Sequence, residues 1–347
     1  MAKKSKIGGL SFLIIIGLIA GGGYWFYENY FKSTVSVKGD YEFVYVQSGY
    51  DLNDLIFDLQ ENNIVKDADK FEWLADKMDL QSNIHPGKYR VTRGMTYRQL
   101  INLIKYDKQE LVDIHINIQI HDIEDFCQYI SKKLELDKRM LQDYFSDNEK
   151  LNRDFGLNTD NAFGALLMKD YKLSWAITLP DFIEELKKTF HEFWTEEKKQ
   201  RAKNNTGLSV AETIVLASIV QNESRIATEQ QKIAGVYLNR LKKNMLLQAD
   251  PTLVFANKAW GSQRVYNKDK EIDSPYNTYK YKGLPPGPIS LVSTIAITNV
   301  IEHTKHNYIF FCAKPELNGY SNYSETYEQH QAFARSYQRS LNKKGIK

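Results

Sequence analysis

Glu223 is the residue whose type and setting best suit it to chemistry. The stretch Ser209-Val-Ala-Glu212 reads as a capping box, in which Ser209 accepts from the amide three residues on and Glu212 reaches back, so a helix starts there. It continues through Ile214, Val215, Leu216, Ala217, Ile219 and Val220, apolar nearly all round, which implies burial inside a domain. Polarity returns abruptly at Gln221, Asn222, Glu223, Ser224 and Arg225. Counting back three, four and seven positions from Glu223 reaches Val220, Ile219 and Leu216, so the carboxyl stands on an apolar face at the C-terminal end of a buried helix. Desolvation and the negative end of the helix dipole both disfavour the anion, which predicts a raised pKa. A carboxylic acid kept protonated near neutral pH is what a general acid at a glycosidic oxygen requires. The plainer alternative is an ion pair with Arg225 or Arg240 that closes the helix end.

Other polar groups gather downstream. A second helix is expected from about Thr228 to Met245, with Ile233, Val236, Tyr237 and Leu241 facing inward. In Leu247-Gln248-Ala249-Asp250-Pro251-Thr252, Asp250 before Pro251 makes a good N-cap with proline at the first helical position, whereas Gln248 has no such structural use. Four of the eight prolines lie from Pro275 to Pro288, within Ser274-Pro-Tyr-Asn-Thr-Tyr279 and Gly283-Leu-Pro-Pro-Gly-Pro-Ile289. A stiff loop that projects Tyr and Asn suits a sugar, and a stiff connection would read the same way. The seven histidines are scattered, and the close pair His303 and His306 lacks the glutamate and the i, i+4 spacing of a zinc helix, so neither a metal nor a cofactor is expected. The two cysteines, Cys127 and Cys312, carry no spacing that demands a bridge.

These blocks together resemble a known family. Ala217-Ser-Ile-Val220-x-x-Glu223, Val236-Tyr-x-Asn-Arg-Leu241, Met245-x-Leu-Gln-x-Asp-Pro-Thr252, Pro275-Tyr-Asn-Thr-Tyr279 and Gly283 to Ile289 are similar, in order, to the YceG-like family of endolytic murein transglycosylases. The resemblance implies cleavage of peptidoglycan glycan strands at the membrane surface during wall synthesis, with Glu223 as the catalytic acid/base; Gln248, Asp250, Asn277 and Tyr279 are the residues expected to hold the sugar, and peptidoglycan synthases are expected partners. One carboxyl would suffice, because the 6-hydroxyl of N-acetylmuramic acid can attack its own anomeric carbon to give a 1,6-anhydro end. Two rivals stay open: a muramidase-type hydrolase in which Asp250 or Glu229 activates water, and a non-catalytic peptidoglycan-binding scaffold. The chain departs from the family pattern at Gln221, where a second acid is common, at Met168-Lys-Asp-Tyr171, and at Gly319-Tyr-Ser-Asn-Tyr323, although Glu328-x-His330 remains.

The elements that must position these groups belong to an ordinary folded chain of 347 residues with 42% hydrophobic residues. Its 46 basic and 43 acidic residues leave the body neutral once Lys3, Lys4 and Lys6 are set aside, which argues against nucleic acid as a partner. The uncharged run from Ile7 to Phe26, ending in an aromatic belt and preceded by those lysines, predicts a cytoplasmic tail over residues 1–6 and an uncleaved anchor over 7–27. That places the protein in the cytoplasmic membrane, single-pass, with the N-terminus inside and the remainder outside. Val46, Gly49, Leu55 and Ile56 recur as Val91, Gly94, Leu100 and Ile101, each copy a strand, a glycine turn and an amphipathic helix. A fainter third copy has Ile114, Ile116, Ile118 and Ile120 alternating before a helix from about Ile123 to Leu134. The expected class is α+β: an N-terminal transmembrane helix, a repeat module over 41–110 that is either a spacer or a LysM-like glycan binder, and a mixed α+β catalytic domain over 111–347 with a buried catalytic helix.

Overall fold

A computed structural model describes residues 7–117, 119–260 and 266–343. The expected tail over 1–6 and the strand position Ile118 lie outside them. The first helix, α1 (Ile7–Phe26), leads into a π-helical turn, Tyr27–Phe31. The expected membrane anchor, and the single-pass placement built on it, must be corrected: among the described residues no helix is long and apolar enough to cross a membrane. Within α1, Gly17 and Gly21–Gly23 add no apolar surface to the run.

The chain divides into two compact units, one of Met1–Asp113 with Lys133–Glu135 and Lys172–Ile177, the other of Ile114–Lys132, Leu136–Tyr171 and Thr178–Lys347. In the first, β1 (Tyr41–Val46), α2 (Leu52–Glu61), α3 (Ala68–Lys77), β2 (Gly87–Thr92) and α4 (Tyr97–Lys105) follow in order. The strands pair antiparallel, with Tyr41 opposite Thr92 and Val46 opposite Gly87. Val44, Val46, Tyr89 and Val91 alternate inward onto Leu55, Leu59, Phe71, Leu74, Leu100 and Ile104, all in one buried cluster. The internal repeat is visible in detail. Gly49 and Gly94 turn the chain at φ 86° and 78°, and Asp51 and Thr96 then open α2 and α4 with capping boxes.

The third copy behaves differently. Its strand β3 (Val112–Ile116) pairs with β4 (Lys169–Leu173) rather than with the first two, and Ile120, although buried, lies beyond the strand end. The second unit is mainly helical: α5 (Ile123–Lys133), α6 (Lys138–Phe145), α7 (Asn148–Phe155), α8 (Leu179–Phe193), α9 (Glu196–Thr206), α10 (Val210–Glu223), α11 (Ala227–Lys242), α12 (Asp250–Ala256) and α13 (Thr294–Ile301), then the hairpin strands β5 (Phe310–Ala313) and β6 (Ser321–Ser324) and the final helix α14 (Tyr327–Lys343). Helices α8 and α9 are separated at Trp194 because Thr195 accepts from the Lys198 amide and starts α9. At its other end α9 stops on Gly207 at φ 80°. Every residue from Thr213 to Val220 in α10 is buried, and α9, α11, α12 and α13 pack around it. Cys127 and Cys312 are both free thiols.

Candidate active site

The capping box at Ser209 and Glu212 forms and fixes where α10 begins. Its end is set by Ser224, whose extended backbone (φ −150°, ψ 144°) stops the helix one residue after Glu223. Glu223 is half-buried, and Oε1 accepts a hydrogen bond from the Tyr237 hydroxyl at 2.6 Å. Burial pushes its carboxyl up to about 7 from an ordinary 4.5. The Tyr237 bond draws the value down, the negative charge of Asp250 raises it, and the positive charge of Arg240 lowers it. The alternative of an arginine lock is not what the structure holds. Arg240, itself buried, donates Nε to the Ile309 carbonyl at 2.6 Å and Nη1 to the Leu247 carbonyl at 2.7 Å. The result is a neutral acid: one oxygen held by a phenol, and no second side-chain partner on the carboxyl among the described residues.

Asp250 and Tyr279 form a second couple beside it. The Tyr279 hydroxyl donates to Asp250 Oδ1 at 2.5 Å, and the charges of Glu223 and Asp250 both push the Tyr279 phenol upward after burial has done so. Asp250 does not cap its helix: α12 starts at Asp250 itself, with Ala249 as N-cap, because the carboxylate is turned to Tyr279 instead. Gln248 is exposed and sits at φ 51°, a left-handed backbone uncommon for a residue with a Cβ, between buried Leu247 and Ala249. Its amide donates to the Thr278 carbonyl at 3.1 Å, which joins its turn to the proline-rich loop.

Asn277 is placed differently from expectation. It is 0% exposed, and its Nδ2 donates to the carbonyls of Lys270 and Ile272 while Oδ1 accepts from the Tyr279 amide. An amide so fully used shapes the loop and has nothing left for a ligand, because burying it unpaired would cost about 1–3 kcal/mol. Glu229, one rival's water-activating residue, is 1% exposed and accepts from the Ser321 amide and the Tyr323 hydroxyl, so it joins α11 to β6.

Two residues escaped sequence reading. Tyr237 looked like one more inward apolar position of α11, and the only available signal was that a buried phenol needs a partner. Gln221, read as a lost acid, has a positive use: Nε2 donates to the Leu291 carbonyl and Oε1 accepts from the Ser293 amide. Ser218 Oγ accepts from the Ile289 amide and Asn222 donates to Ser290 Oγ, so the last turns of α10 hold the segment that follows the prolines.

The chain is 27% identical to the endolytic murein transglycosylase of Bacillus subtilis (strain 168), over 90% of this chain and 87% of that one. It is 24% identical to the endolytic murein transglycosylase of Streptococcus pneumoniae serotype 2 (strain D39 / NCTC 7466), over 88% of this chain but 60% of that longer protein. A crystal structure of a yceG-like protein from Listeria monocytogenes shares the fold at a TM-score of 0.54 and 24% identity, covering 84% of this chain and 98% of that one. The profile of the YceG-like family matches residues 44–336, nearly the whole chain apart from its two ends, and the chain belongs to that family.

Proposed function

We propose that the chain cleaves the glycan strands of peptidoglycan as a lytic transglycosylase, at the bond between N-acetylmuramic acid and N-acetylglucosamine. The observation that carries the reading is the half-buried Glu223 carboxyl, neutral up to about pH 7 and held at Oε1 by Tyr237. The proton on Oε2 passes to the glycosidic oxygen, and the N-acetylglucosamine side leaves with a free hydroxyl. The carboxylate then takes the proton of the muramic acid 6-hydroxyl, whose oxygen closes on the anomeric carbon, so a 1,6-anhydro ring forms and no water is consumed. Tyr279, paired with Asp250, and exposed Gln248 are the groups left to hold the sugar. The order β1, α2, α3, β2 around one antiparallel pair supports reading the N-terminal unit as a LysM-like glycan holder.

A hydrolase reading rests on one observation: the charge of Asp250 reaches Glu223, so a second carboxylate is at hand to activate water. Mass spectrometry of digested, uncrosslinked strands separates the two, since anhydro ends are expected and reducing ends would support hydrolysis. Glu223→Gln tests catalysis itself. Cleavage should fall by about 10²–10⁴-fold with the fold intact, and retained cleavage would sink the assignment.

A further inference from the structure

Beyond the acid, α12 carries an aromatic cluster that the reaction does not use. Phe255 lies near its C-terminal end, its ring 4.6 Å from Tyr276 and 5.6 Å from Trp260. Trp260 in turn stacks on His121 at 4.8 Å, with the planes 26° apart, and is still 39% exposed. The exposed ring is held in place. Helix α12 ends in a Schellman motif with Lys258 at φ 51° in the position glycine usually takes: the Lys258 amide donates to the Phe255 carbonyl and the Ala259 amide to the Val254 carbonyl. Asn257 Nδ2 donates to the Asp269 carbonyl, which ties the helical turn Asn267–Glu271 to the same helix end. Below the indole, His121 is fixed through Nδ1 and its backbone amide to Asp125 Oδ2 at 3.0 and 3.2 Å.

A rigid, half-exposed indole with polar groups around it is a poor core residue and a good platform. Pyranose rings present a flat face of C–H groups that packs on an aromatic face, while their hydroxyls stay wet. The platform is also connected to the acid. Asp250 opens the helix that ends just after Phe255, about 7.5 Å away along the axis, with Trp260 four residues past its last residue, and Tyr276 and Tyr279 come from one loop. We infer that Trp260, backed by His121 and Phe255, is an accessory glycan subsite that holds a pyranose of the same strand away from the bond Glu223 cleaves.

This inference rests on the reading of Glu223 as a glycan-cleaving acid, and its test is by binding so that the two can fail separately. Full-length Glu223→Gln protein would be titrated calorimetrically with purified, uncrosslinked glycan strands of several disaccharides. Adding Trp260→Ala should weaken binding about tenfold, equivalent to about 1.4 kcal/mol, and Trp260→Phe, which keeps a flat ring, should recover most of it. If the two places take different sugars of one strand, the alanine change should cost less than about twofold with single disaccharides, well below that tenfold loss. Equal affinity of the alanine variant and its parent for long strands overturns the subsite and leaves the acid untouched. A parent that binds no strand at all overturns both. An alanine loss that the phenylalanine variant does not recover overturns stacking as the cause.

Discussion

A single carboxyl sits between two neighbours that pull its titration in opposite directions, and this can be measured. Asp250 raises the pKa of Glu223 and the Tyr237 hydrogen bond lowers it. Activity that needs the protonated acid is lost as pH rises through about 7, so Asp250→Asn should move that alkaline limb to lower pH and Tyr237→Phe should move it to higher pH, in profiles of kcat/KM. Shifts in the same direction would show that one of these neighbours does not act on the acid. The same pKa has a cost in stability. Because folding raises it from 4.5 to about 7, the unfolded chain ionises first, so stability falls as pH rises from 4.5 and levels off above about 7, by at most about 3 kcal/mol before screening. Glu223→Gln should therefore melt higher than the parent at pH 8 and close to it at pH 4, as calorimetry can show.

The helix α10 does the positioning, and much of it was legible beforehand. A capping box fixes its start, a run of buried residues fixes its surroundings, and the return of polarity fixes its end, all through local chemistry. Tyr237 could not be found that way, because its meeting with Glu223 depends on how α10 and α11 pack and not on any local pattern. Asn277 misled for the opposite reason: an amide in a proline-rich loop looks available until its three backbone bonds are seen. The third repeat kept its strand and helix but changed its partner, since strand pairing is set at long range. The loop itself depends on a close approach at Gly287, where a Cβ would run into the Asp160 carbonyl and crowd the Tyr276 hydroxyl. Gly287→Ala should shift the loop that bears Tyr276 and Tyr279, costing about 1–3 kcal/mol in thermal unfolding and raising KM more than it lowers kcat. An unchanged KM would mean that the loop does not hold substrate.

At the scale of the chain, the N-terminal unit is assembled from three separate stretches. Ser48 bonds Glu135 through both its amide and its hydroxyl, and Tyr45 meets Trp175 edge to face at 5.0 Å. A fragment ending at Asp113 lacks Glu135 and Trp175, so it should melt earlier than one carrying them, losing about 0.5–1.5 kcal/mol for each hydrogen bond to Ser48 in a denaturant titration. Equal melting would show those returning stretches to be passengers. The enclosure of α10 on all sides matters for how such proteins diversify. A rod wedged among four others cannot turn or slide, so mutations that retune preference for one polymer over another have little freedom there and more in the exposed turn at Gln248 and the stretch around Tyr276 and Tyr279. A designer seeking a changed cutting pattern would leave the rod alone and randomise those loops.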